Sequence, residues 1–137
     1  MFEVAGKGIP AQLLARANDS IRFLGVVPDA FEFVRCRSVV VVPLLSGGGI
    51  KIKTLEAMAC GCPVVTTSIG AEETGAMHGQ HLMIADNAEA FAAHVITLLQ
   101  DKALSLTLGT HARSLVEAKF SWAAKWQSLG DLLEQVA

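Results

Sequence analysis

Residues 39–67 read VVVVPLLSGGGIKIKTLEAMACGCPVVTT, and this stretch decides the fold. Val39 to Val42 are four consecutive β-branched residues, the pattern of a central strand buried on both faces. Pro43 follows, and Ser46-Gly47-Gly48-Gly49 then forms a flexible turn. The next residues predict a helix to about Cys60, with Gly61 suited to the left-handed position after its last turn. Pro63 to Thr66 predicts the next strand. Two strands joined by a helix and short loops form a parallel crossover unit.

The flanking sequence repeats this alternation. Phe2 to Ala5 reads as a strand, Gly6-Lys7-Gly8 as a turn, and Pro10 as the start of a helix to about Ala17. Ile21 to Leu24 reads as a short strand ended by Gly25, and Pro28 opens a helix carrying Phe31 and Val34. Leu82 to Ala85 predicts the last strand. Beyond it the chain reads as helical. Asp86 and Glu89 stand at capping-box spacing, ahead of a stripe of Phe91, Val95, Leu98 and Leu99. Leu104, Leu108 and Leu115 mark a second helix. Ser121 caps a third, on which Trp122, Trp126, Leu129, Leu133 and Val136 recur at helical spacing. The fold class is α/β: a Rossmann-like open parallel sheet with helices on both faces and C-terminal helices.

With 137 residues, the chain fits one domain. Apolar residues make up 52% and charged residues 18%, richer in apolar residues than an ordinary soluble domain. A doubly covered parallel sheet accounts for this, and so does a surface that meets a partner. Net charge is −2, from 11 basic and 13 acidic residues. No basic run or aromatic-arginine stripe suggests nucleic acid. The apolar stretch Val39 to Leu45 is far too short to span a bilayer, and Glu3 and Gly6 interrupt any leader-like core at the N-terminus. Cys36, Cys60 and Cys62 form no disulfide framework, which points to a reducing compartment. His78 and His81 lack further ligands for a metal site.

The triple-glycine turn lies where ligands of open α/β sheets bind, at the carboxyl end of a parallel strand. Glycine lets the backbone approach a ligand and adopt angles closed to other residues. The helix that follows offers free amides and a positive dipole end to a phosphate. No Gly-Lys-Ser/Thr follows at P-loop spacing. Gly6-Lys7-Gly8 is not a dinucleotide fingerprint, because Ala11 stands where its third glycine belongs. Lys53 and Glu56 share a helix face and have two readings: a solvated ion pair worth about 0.2–0.5 kcal/mol, or a cation for phosphate beside a carboxylate for sugar hydroxyls.

Taken with its flanks, the stretch resembles the group 1 retaining glycosyltransferases of GT-B fold. The resemblance rests on Pro43, on Gly47-Gly48-Gly49, and on the run Leu55-Glu56-Ala57-Met58-Ala59-Cys60-Gly61-Cys62-Pro63-Val64-Val65. Phe23-Leu24-Gly25-Val26-Val27-Pro28-Asp29, Gly70-Ala71-Glu72 and Phe120-Ser121-Trp122 extend it over nearly the whole chain. It implies one half of a GT-B fold, the donor-binding domain, with a UDP-sugar or GDP-sugar as substrate and no cofactor. The position that hydrogen-bonds the donor ribose matches Glu56. Its partner glutamate, which usually touches the donor sugar, would fall at Gly48 and is absent. The glycine turn matches the loop whose amides meet the diphosphate, so Gly47, Gly48, Gly49 and Ile50 are expected to bind donor, with Thr54 on the same helix. Lys53 matches a basic position, expected to contact phosphate. Val26 and Val27 stand where backbone groups face the base.

The resemblance further implies metal-independent, retaining transfer to an acceptor hydroxyl, in surface polysaccharide or glycolipid synthesis. The expected setting is the cytoplasm, at the inner face of the membrane, with peripheral membrane contact through the other half. An N-terminal acceptor domain and a preceding strand-helix unit are expected outside these residues. That domain would pack on the last helix, where an exposed apolar patch around Trp122 and Trp126 is expected. Alone, the 137 residues are expected to be inactive. A sugar-nucleotide epimerase or phosphorylase of the same fold, and a non-catalytic nucleotide-binding or interaction module, remain alternatives.

Overall fold

A computed structural model describes residues 1–127 and residue 129. It divides into a unit of Met1–Phe33 and a second beginning at Val34. In the first, β1 (Phe2–Ala5), α1 (Ala11–Leu14) and β2 (Ile21–Gly25) follow one another. β1 and β2 pair in parallel from Phe2↔Ile21 to Ala5↔Gly25, with a register shift after Val4. α1 is shorter than the expected helix to Ala17. After Leu14 the chain tightens into bonds from Arg16 N to Leu13 O and from Ala17 N to Leu14 O, the i to i−3 pattern of a closing turn. Asn18 Oδ1 then accepts from Ser20 N at 2.8 Å and Ile21 N at 3.1 Å, turning the chain into β2. Pro10 lies just outside α1, in extended conformation. α2 (Ala30–Arg35) follows, and Asp29 rather than Pro28 starts it, its Oδ1 accepting from Glu32 N at 2.9 Å.

In the second unit β3 (Val40–Val42), β4 (Val64–Thr66) and β5 (Met83–Ile84) form a parallel sheet in that order. The expected open sheet is thus realised as one parallel ladder in each unit. Between the strands of the second run α3 (Ile52–Ala59) and a four-residue α4 (Ser68–Ala71), followed after β5 by α5 (Ala88–Gln100) and α6 (Lys102–Phe120). Strand alternation sends side chains to both faces. Val42 and Val64 pack with Ala57 and Met58 of α3 and Ala112 of α6. Val65, flanked by Val39 and Val41, packs with Leu98 of α5 and Leu108 of α6. The four-valine run is therefore apolar throughout because each face has its own helical cover.

Two details correct the sequence reading. Asp86 does not take part in a capping box; Asn87 caps α5, accepting from Ala90 N at 2.8 Å. Asp86 instead receives Ser68 N at 2.7 Å and Ser68 Oγ at 2.6 Å, which lowers its pKa. Leu99 leaves the α5 stripe and is exposed, whereas Leu98 is buried. Trp122 and Trp126 are 81% and 67% exposed, and Leu129 is exposed too, as expected of an apolar patch. Ser121 Oγ accepts from Ala124 N at 3.2 Å, the expected cap. Leu133 and Val136 lie outside the described residues.

Gly61 and Gly109 set the distance between α3 and α6. Gly61 ends α3 with φ 71°, the left-handed closure expected of it. A Cβ on Gly109 of α6 would stand 2.1 Å from the Gly61 carbonyl oxygen. The two backbones touch directly, and α3 owes its position to that contact.

Candidate functional site

The glycine turn leaves the carboxyl end of β3 and hands over to α3, the edge of the sheet that the sequence reading requires. Gly47 and Gly49 have φ of 136° and 76°, conformations that L side chains rarely adopt. Gly48 does not. Beyond the adjacent residues, no heavy atom stands within 4 Å of a Cβ built on any of the three, so the turn is open around each. Glycine is thus demanded by conformation at Gly47 and Gly49, while Gly48 has both room and an ordinary φ. Ile50, at the end of the turn, is exposed. The α3 N-cap is Lys51, with no side-chain cap, which leaves first-turn amides without the usual side-chain acceptor.

The root of the turn is stitched by hydroxyls. Thr66 Oγ1 donates to Val42 O at 2.9 Å and Thr67 Oγ1 to Leu44 O at 2.5 Å, tying the ends of β3 and β4 together. Thr67 also caps α4, accepting from Gly70 N at 3.1 Å. Thr54 is fully buried, and its hydroxyl donates to Gly70 O at 2.7 Å. Its side chain therefore serves the scaffold. These buried bonds satisfy carbonyls at strand ends that would otherwise lack partners.

Lys53 and Glu56 meet as an ion pair, Nζ to Oε2 at 2.8 Å, with Lys53 75% and Glu56 31% exposed. Glu56 thus reaches the surface of α3, one turn on from the helix start at Ile52. An exposed pair at this spacing is worth about 0.2–0.5 kcal/mol, so a ligand that uses either group separates them at little cost.

Sequence reasoning passed over Lys51. It is 5% exposed; its ammonium donates to Gly47 O at 3.0 Å and lies 3.5 Å from Glu72 Oε2. A lysine is rarely buried unless paired. The local signal was the alternation Lys51-Ile52-Lys53, which places one lysine on each side of the helix start; nothing in that spacing says which is inside. Glu73, next to Glu72, has φ 62°, a left-handed conformation unusual for a residue with a side chain.

The first unit carries its own open cleft of about 310 Å³ at the carboxyl ends of β1 and β2. Gly6, Lys7, Gly8, Ile9, Gly25 and Val26 line it, with Gly6 N bonded to Gly25 O at 2.7 Å. Val26 is 73% exposed and Val27 half-buried.

His78 and His81 organise the loop before β5. His78 Nδ1 accepts from Ile84 N at 2.9 Å, and His81 Nδ1 from Met77 N at 3.1 Å. Burial first, then His111 and Lys119, lowers the His81 pKa. Among the described residues no three His, Cys, Asp or Glu side chains cluster to hold a metal. Cys62 is buried, donates to Val34 O at 3.3 Å, and its thiol is pushed up to about 11, chiefly by burial. Such a thiol is inert at neutral pH. No helix among the described residues is long and apolar enough to cross a membrane.

Comparison with known proteins places this geometry. A family model described as "Glycosyl transferases group 1" matches residues 1–101. The chain is 34% identical over 108 residues to a phosphatidyl-myo-inositol mannosyltransferase of Mycobacterium leprae, covering 74% of this chain and 29% of that protein. It is 36% identical over 108 residues to an O-antigen chain mannosyltransferase B of Escherichia coli, covering 74% and 27%. Its fold matches the Anabaena protein HepE, solved in complex with UDP, with TM-score 0.80, 20% identity, and coverage of 97% of this chain and 40% of that one. A C-terminal domain of a group 1 family protein from Francisella tularensis matches with TM-score 0.68, 23% identity, and coverage of 80% and 58%. The chain thus spans under a third of the two mannosyltransferases.

Proposed function

The chain belongs to the group 1 glycosyl transferases, and on that premise we propose that it binds the nucleotide-diphosphate sugar from which the whole enzyme transfers a sugar to an acceptor hydroxyl, with retention at the anomeric carbon. One observation carries the reading. An open triple-glycine turn at the carboxyl end of β3 runs into an α3 whose start has no side-chain cap, with Glu56 at the surface one turn on. The mannosyltransferases and the UDP complex among its relatives support a sugar-nucleotide donor. They also support a role in glycolipid or surface polysaccharide synthesis.

Transfer requires the bond between the anomeric carbon and the diphosphate oxygen to break, and negative charge gathers on the departing diphosphate. In this scheme the amides of Gly48, Gly49 and Ile50 and the positive end of α3 meet that charge. Lys53 leaves Glu56 to add a cation, and Glu56 turns to the ribose hydroxyls as acceptor. Metal is given no part in this scheme. These 137 residues bind donor without turnover, since the acceptor is held by the rest of the enzyme. On this reading the reaction takes place in the cytoplasm, beside the membrane that carries the acceptor.

Titration with UDP and GDP, with and without chelator, tests the site by amide shifts at Gly47 to Ile50. Shifts centred on the turn and α3, unchanged by chelator, are expected. Absence of any shift with either nucleotide overturns the donor reading in favour of a non-catalytic interaction module. Conversion of the donor without an acceptor by the whole protein identifies an epimerase instead.

A further inference from the structure

Lys51 is the one lysine of the turn region that is buried, and its partners are both protein groups: the Gly47 carbonyl at 3.0 Å and the Glu72 carboxylate at 3.5 Å. Every peptide bond described is trans. In a trans peptide the carbonyl and the N–H of the next residue point in opposite directions. An ammonium that draws the Gly47 carbonyl inward therefore turns the Gly48 N–H outward, away from Lys51. With φ 136° at Gly47 and no side chain within 4 Å of the Cβ positions of Gly47, Gly48 or Gly49, side-chain packing does not hold this peptide plane. Glycine peptides rotate freely where nothing holds them, and Lys51 supplies the hold. Glu72 neutralises the ammonium from the end of α4, so the charge is balanced without a ligand.

We propose that Lys51 is a positioning residue: it touches no donor, but fixes the direction of the Gly48 amide, with Glu72 as its counter-ion. The inference rests on the donor reading for its consequence in binding, and on the geometry alone for its consequence in the free protein. It separates the two lysines of the turn. Lys53 is exposed and paired with Glu56 at the surface, whereas Lys51 acts from inside through the backbone.

Two variants of the 137-residue chain test this, Lys51→Met and Lys51→Arg, with urea unfolding as the control for folding. In the free protein, backbone order at Gly48 is read by 15N relaxation NMR against β4 amides. Lys51→Met is expected to lower the order parameters of Gly48 and Gly49 into the flexible range, below about 0.6, while Val65 stays near about 0.85, and Lys51→Arg to restore most of the order. With UDP, GDP and inorganic pyrophosphate as probes, Lys51→Met is expected to raise Kd about tenfold, the loss of one amide bond to a charged oxygen. Unchanged Gly48 order and unchanged Kd in Lys51→Met, with only the unfolding midpoint lowered, overturn the proposal and leave Lys51 a structural ion pair. If the unaltered chain binds none of the three probes, the donor reading fails, and the order of the Gly48 amide alone decides the role of Lys51.

Discussion

Replacing Gly109 by Ala should destabilise the protein, against the direction that helix propensity alone predicts. Gly109 lies inside α6, where Ala is favoured over Gly by about 1 kcal/mol. The new methyl would stand 2.1 Å from the Gly61 oxygen and 3.0 Å from the Gly61 carbon, both backbone atoms. Reaching an ordinary contact of 3.4 Å demands a shift of about 1.3 Å, the difference between 3.4 and 2.1. α6 cannot yield it locally, because Leu108 and Ala112 on either side are 1% and 0% exposed. Overpacking of this kind costs about 3 kcal/mol at the upper end of its range. Subtracting the propensity gain leaves a net loss of about 2 kcal/mol. At about 2.1 cal/mol/K of unfolding entropy per residue, this lowers Tm by roughly 7 °C. Urea unfolding followed by far-UV circular dichroism measures it, with calorimetry for Tm. Gly61→Ala separates space from conformation. Its Cβ meets nothing closer than 3.8 Å, so its cost is the left-handed φ alone, about 1–2 kcal/mol, and Gly61→Asn should recover part of it. A Gly109→Ala protein as stable as the original, or more so, would refute the claim that direct backbone contact places α3 and its glycine turn.

Further outcomes follow from single residues. Glu56→Ala should weaken UDP or GDP binding at least tenfold, the value of a hydrogen bond to a charged group, while changing stability by no more than about 0.5 kcal/mol; isothermal titration and urea unfolding read the two separately. His81 is neutral in the fold at pH values where the unfolded chain, with a pKa of about 6.5, takes up a proton. Stability should therefore fall as pH drops below about 6.5 and level off below the lowered native pKa. Urea midpoints at several pH values should slope less in His81→Gln, and equal slopes would show that His81 is not the group responsible. Glu73→Gly should raise the unfolding free energy by up to about 1 kcal/mol by relieving the left-handed backbone at φ 62°, read as a higher urea midpoint at unchanged slope.

Much of this protein could be read along the chain. Four valines in a row, a triple glycine and a helix closed by Gly61 sufficed for a parallel strand, an open turn and a crossover, because period and turn chemistry are local properties. They also put the turn at the carboxyl edge of the sheet, since the segment that follows a strand leaves it at its carboxyl end and the next strand runs parallel. Partnership was not local. Asp86 serves Ser68, and Thr54 serves Gly70, across 18 and 16 residues of sequence; spacing had given the first to a cap, and nothing local pointed to the partner of the second. Lys51 and Lys53 look alike in sequence, yet one is buried on a carbonyl and the other is three-quarters exposed. Which side of a helix start faces inward depends on what packs there, and only the assembled fold, with Gly109 set against Gly61 and Glu72 brought beside the turn, decides that.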